Sequence, residues 1–238
     1  MTEAEWLGCT DPAPMLELLR RSMPSRKSQD RRLGDCYLDS DYYLPDLGRK
    51  IGLFICACLT RGPSNRDVEE RLLFQEFERY CDANATWAAV EKTYWALIER
   101  QQARIEEEDR KNNSVTSVHW MLPCEYFADP ALIRQSAERM VGWNNADGPE
   151  AGRRFQCAFL RDIFNPFYPA PLAPSWLSST VVTLAEGIYQ GRAFDGMPIL
   201  ADALQDAGCD NDDILNHCRG EGPHVRGCWV VDLITGRK

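Results

Sequence analysis

"SVTSVHWML", residues 114–122, is the stretch on which the fold class turns. Its β-branched residues favour a strand, but a strand needs a partner to pair with. The obvious candidate is "CWVVDLITG" at residues 228–236. Paired, the two would form a ribbon packed on helices; unpaired, they leave an all-α protein. The rest of the chain reads as helix. The expected class is therefore mainly α: a compact multi-helix domain with at most one short two-stranded ribbon.

The helical reading rests on caps and on period. "DPAPMLELLRRSM" (11–23) opens with the N-cap candidate Asp11 and a proline at the first helical position, then sets Met15, Leu18 and Leu19 on an apolar face. "RKIGLFICACLTRG" (49–62) predicts a buried helix stopped by Gly62 and Pro63. "NRDVEERLLFQEFERYCD" places Val68, Leu72, Phe77 and Cys81 close to one stripe. "TWAAVEKTYWALIERQQARIEEEDRKNN" follows, with Trp87, Val90, Tyr94, Leu97 and Ile98 on one face and a charged end. "DPALIRQSAERMVGW" (129–143) and "PEAGRRFQCAFLRDIF" (149–164) repeat the three- and four-residue spacing. Further on, Val181, Leu184 and Ile188 share a face. Two short helices follow: Pro198 starts the first and Gly208 stops it, while Asp210 or Asn211 caps the second and Gly220 ends it.

Two segments break the pattern. Residues 23–48 carry Pro, Ser, Gly and Asp throughout and include the acidic, tyrosine-rich "CYLDSDYYLPD" (36–46). A loop of that length suits an insertion with a binding role or a flexible segment. "NPFYPAPLAPSW" (165–176) holds four prolines and suits an extended connector. The expected organisation is a helical domain over 1–164, with the loop insertion at about 23–48, and a C-terminal helical subdomain over 165–238; one single domain is the alternative.

Composition narrows the function classes. The 238 residues carry a net charge of −9, which argues against general binding to nucleic acid or anionic membrane. The cationic "LRRSMPSRKSQDRR" (19–32) lacks interleaved aromatics and reads as a solvated helix end and loop. The longest apolar runs, such as "IGLFICACL", fall short of a membrane span, and the acidic start "MTEAEWLGC" is unlike a secretory leader. The expected location is the cytoplasm. There the ten cysteines read as buried thiols, with a metal site as the alternative. Cys56 and Cys58 lie two apart on a helix and point about 200° away from each other, so they read as small core residues. No P-loop, dinucleotide fingerprint, nucleophile elbow or HExxH occurs.

Chemistry-bearing side chains concentrate in "HCRGEGPHVRGCWVVDL" (217–233), which holds His217, Cys218, His224 and Cys228. One reading is structural. Ile214 and Cys218 share a helix face, His217 and Arg219 cap the carbonyl end where cations are favoured, and Trp229 anchors an apolar tail. The other is zinc, since two thiolates and two imidazoles suit a tetrahedral ion and the GEGP bend could return His224 and Cys228 to the helix end. A nucleophilic Cys228–His224 pair is a third reading, for which no oxyanion donor or orienting acid can be named.

The blocks "EAEWLGCTDPAPMLELLR", "LFICAC", "LRDIFNPF", "LAEGIYQGRAFDGMPILADALQDAGCDNDDIL" and "HCRGEGPHVRGCWVVDL" resemble a family of paralogous planctomycete proteins of uncharacterised function. The resemblance covers about the first twenty residues and everything after residue 155. The chain departs from the pattern at "LTRG" (59–62), where a further cysteine and basic residues are expected, and in the longer 23–48 segment. The resemblance implies a bacterial origin and a shared scaffold, and carries over no catalytic residue. The expected function is a non-enzymatic bacterial helical module that binds a protein partner, with Tyr42 and Tyr43 in the acidic loop as the candidate contact surface, the alternative being an ordinary acidic loop folded over the core. No cofactor is expected on that reading. The alternative is a zinc-binding protein or thiol-dependent hydrolase that uses His217, Cys218, His224 and Cys228, joined by His119 if a cleft brings the histidines together.

Overall fold

A computed structural model of the chain describes residues 1–22, 46–60, 68–112, 149–167 and 172–237. Within them run α1 (Glu3–Gly8), α2 (Pro12–Ser22), α3 (Asp46–Thr60), α4 (Val68–Cys81), α5 (Trp87–Asn112), α6 (Pro149–Ile163), α7 (Ser179–Gly191), α8 (Met197–Asp206), α9 (Asp212–Arg219) and α10 (Trp229–Thr235). No strand occurs among the described residues, so the mainly α class holds. "CWVVDLITG" is the helix α10 with Cys228 at its N-cap, which removes the ribbon partner. Val230, Val231 and Ile234 are buried there, and packing outweighs their strand preference. "SVTSVHWML" with His119, the 129–143 stretch and the tyrosine-rich loop lie outside the described residues. No described helix is long and apolar enough to cross a membrane.

The chain divides into two compact units, Met1–Met23 with Asp147–Lys238, and Pro24–Ala146. α6 therefore groups with the C-terminal helices, whereas the sequence expectation placed it in a domain over 1–164.

In the unit over Pro24–Ala146, α3 packs on α4 and α4 on α5. Cys56, Leu73, Phe77, Val90 and Leu97 make its small core, in accord with Cys56 as a core residue. The α4 stripe is rotated from its expected position: Leu72 is half exposed, and Leu73 and Phe74 are buried instead. Leu73 and Phe77 are four apart, so they share the face that meets α5. Arg49 pairs with Asp82 at 2.9 Å, both side chains nearly buried.

In the other unit, α2 packs on α6, and α7 to α10 form a second group of packed helices. Val181, Ala185, Ile188 and Tyr189 of α7 follow the helical repeat, as do Met197, Leu200, Ala201 and Leu204 of α8, and both stripes enter one core. The capping expected from sequence is realised. Asp11 Oδ1 accepts from Ala13 N–H at 3.0 Å, and Asn211 Oδ1 accepts from Ile214 N–H at 3.0 Å. Gly236, at φ +69°, terminates α10 in the left-handed conformation. Arg161 of α6 donates to the carbonyls of Trp6 (3.1 Å) and Cys9, which ties the N-terminal segment to this helix.

Candidate metal centre

Three pieces of chain converge beside α6. The first is the last turn of α6 itself, which carries Asp162. A carboxylate there faces the negative end of a helix dipole and is almost wholly buried, both of which disfavour its charge. Donors from the other pieces offset this. His217 of α9 places Nε2 3.1 Å from Asp162 Oδ1. His224, in the link between α9 and α10, places Nδ1 2.7 Å from the same oxygen. The backbone N–H of Val225 donates to Asp162 Oδ2 at 2.8 Å. Burial pushes the Asp162 carboxyl up, but hydrogen bonds from the two histidines outweigh it and hold the group below its ordinary value.

Cys228 completes the group, with Sγ 3.2 Å from His217 Nε2. It is fully buried, and burial together with the Asp162 charge drives its thiol far above the usual value. One candidate ligand atom from each of Asp162, His217, His224 and Cys228 lies within 4.8 Å of all the others. Four side chains of this chemistry, two buried and two partly buried, could hold a metal ion.

The local chain geometry fixes two of these positions. Asn211 caps α9, with Asp212 and Asp213 in its first turn, and that short helix presents His217. Gly222 adopts φ +77°, and a Cβ there would stand 2.9 Å from the His224 backbone nitrogen. Only glycine permits the bend that brings His224 back to Asp162.

The proton positions follow from one further contact. The Trp229 indole N–H donates to His217 Nδ1 at 3.1 Å. An indole can only donate, so Nδ1 accepts and the neutral ring carries its proton on Nε2, facing Asp162 and Cys228. His224 Nε2 is buried without a hydrogen-bond partner. With its Nδ1–H on Asp162, His224 is left with a bare lone pair, the kind of buried unsatisfied group that an ion or a water accounts for.

Of the residues singled out in the sequence, His217, His224 and Cys228 are brought together, and Cys218 is not among the four. Cys218 lies in the hydrophobic core of α7 to α10, its thiol pushed up to about 12 by burial. The capping role expected of His217 and Arg219 is not what their side chains do. His217 engages Asp162, Cys228 and Trp229, and Arg219 reaches across to Asp202 (3.1 Å) and Gln205 (2.6 Å) of α8. Trp229 is buried as expected. Asp162 is the member of the group that sequence reasoning missed. Its signal was a lone acid in "FLRDIF", set among Phe159, Leu160, Ile163 and Phe164, all of them buried.

No protein-family model matches the chain, and no curated protein or solved structure shows significant similarity to it.

Proposed function

We propose that the chain is a non-enzymatic helical module whose C-terminal helices are clamped by one zinc-class ion held by Asp162, His217, His224 and Cys228. The observation that carries this reading is the spacing of the four donor atoms. Tetrahedral zinc with bonds of about 2.0 Å to N or O and 2.3 Å to S needs ligand separations of about 3.3–3.6 Å. His217 Nε2 lies 3.1 Å from Asp162 Oδ1 and 3.2 Å from Cys228 Sγ, close to those values, His224 offers its unpartnered Nε2, and the four side chains can place ligand atoms within 4.8 Å of one another, so side-chain movements of about 1 Å suffice. Two imidazoles, a thiol and a carboxylate form a donor set that zinc accepts, and magnesium or calcium would seek all-oxygen surroundings.

A clamp is favoured over a thiol hydrolase by the arrangement of Cys228 and its neighbours. A nucleophilic cysteine needs access and a base, whereas Cys228 is fully buried and faces the protonated nitrogen of His217. In this reading the ion joins α6, α9 and α10, and any protein partner meets surfaces that those helices hold in place.

Elemental analysis of the full chain, purified without an affinity metal, tests the proposal. The expected result is about one equivalent of zinc that is lost in His224→Ala and Cys228→Ser, with chelator lowering the melting temperature of the unaltered chain. Absence of bound metal, together with a melting curve that neither zinc nor chelator shifts, would refute it.

A further inference from the structure

We propose that Trp229 is a built-in competitor of the metal: its indole N–H holds His217 in the tautomer that cannot bind an ion, so loading the site must release the indole. This inference rests on the metal reading above and concerns the regulation of that same site. Among the four candidate ligands, His217 has its two ring nitrogens committed to opposite tasks. Nε2 faces Asp162 Oδ1 (3.1 Å) and Cys228 Sγ (3.2 Å), while Nδ1 accepts from Trp229 Nε1 (3.1 Å).

A neutral imidazole that ligates through one nitrogen carries its proton on the other. That second N–H normally finds a carboxylate, a carbonyl or a water to accept it. His217 meets the opposite arrangement. If Nε2 takes the ion, Nδ1 must carry hydrogen, and the group facing it is an indole that has hydrogen to give and no lone pair to offer. Two donors then point at one another, and the Trp229 contact must break or turn.

The metal-free arrangement is by contrast nearly complete. Trp229 donates to His217, His217 and His224 donate to Asp162, and Val225 N–H takes the remaining carboxylate oxygen. Of the nitrogen and oxygen atoms in the group, His224 Nε2 is left over. The four side chains therefore have two competing states, one joined by hydrogen bonds and one joined by an ion. Trp229 is the residue that separates them. It is also the first residue of α10, so loading acts directly on the start of that helix.

The test is a zinc titration of the full chain, with Trp229→Phe and a second form carrying 3-benzothienylalanine at position 229. The latter keeps the bicyclic shape and replaces N–H by sulfur. Without the competing donor, zinc should bind roughly three- to tenfold more tightly, the equivalent of one net hydrogen bond. Nitrogen NMR of His217 supplies a readout that a packing role would not move. The proton is expected on Nε2 without metal and on Nδ1 with zinc, and the Trp229 indole resonance should shift on loading. Unchanged or weaker affinity in the benzothienyl form, or an indole resonance unmoved by a full equivalent of bound zinc, would overturn this inference alone. Failure of the unaltered chain to bind zinc would overturn the metal reading and this inference with it.

Discussion

Replacing Asp162 by Asn isolates the hydrogen-bonded core of the site, because the two side chains have nearly the same shape. Asp162 accepts three hydrogen bonds: His217 Nε2 and His224 Nδ1 on one oxygen, and Val225 N–H on the other. An amide offers only one accepting oxygen. If that oxygen takes Val225 N–H, the NH2 group meets the two imidazoles, and His217 cannot switch its proton while Trp229 holds Nδ1. If the oxygen turns to the imidazoles, the NH2 meets the Val225 N–H. Either way at least one buried donor is unpaired, at about 1–3 kcal/mol, and hydrogen bonds to a charged acceptor worth about 1.5–3 kcal/mol each are lost. The expected cost is about 3–5 kcal/mol, a large share of the stability of an ordinary domain. The assay is native-state hydrogen exchange of the α9 and α10 amides, run in chelator so that metal contributes nothing. The sign with pH is fixed by the lowered Asp162 carboxyl. A carboxyl held below its unfolded value contributes stability above that value and loses it as pH falls through the native one. The gap between wild type and Asp162→Asn should therefore shrink below about pH 4. A difference within about 0.5 kcal/mol at neutral pH would refute the network as drawn.

Other substitutions probe the supports of the site. Gly222→Ala should cost about 1–2 kcal/mol, because alanine is strained at φ +77°. It should also weaken zinc binding by displacing His224, which isothermal titration would read. Asn211→Ala removes the α9 cap and should lower stability by about 1 kcal/mol in urea melts, with the four candidate ligands themselves intact. In the Pro24–Ala146 unit, Arg49→Ala removes the 2.9 Å ion pair to the nearly buried Asp82 carboxylate. A loss of about 3–5 kcal/mol is expected there, seen as faster exchange at α3 and α4 with zinc content unchanged.

The sequence by itself determined the helices and several of their ends, because the signals involved are local. Asp11 and Asn211 were legible as caps, Pro198 as a start and Gly208 as a stop, since each acts within one turn of its own position. It also brought out His217, His224 and Cys228, which stand close together in the chain. Tertiary structure decided the rest. It turned "WVVDLIT" from a strand candidate into a helix, because burying Val230, Val231 and Ile234 in the core of α7 to α10 outweighs their local preference. It buried Leu73 in place of Leu72, a choice of face set by the neighbouring helix. It sent Cys218 into the core and brought in Asp162 from 55 residues before His217. Which nitrogen of His217 carries the proton was decided there too. That depends on an indole held 3.1 Å away by the fold, and no spacing along the chain encodes such a distance.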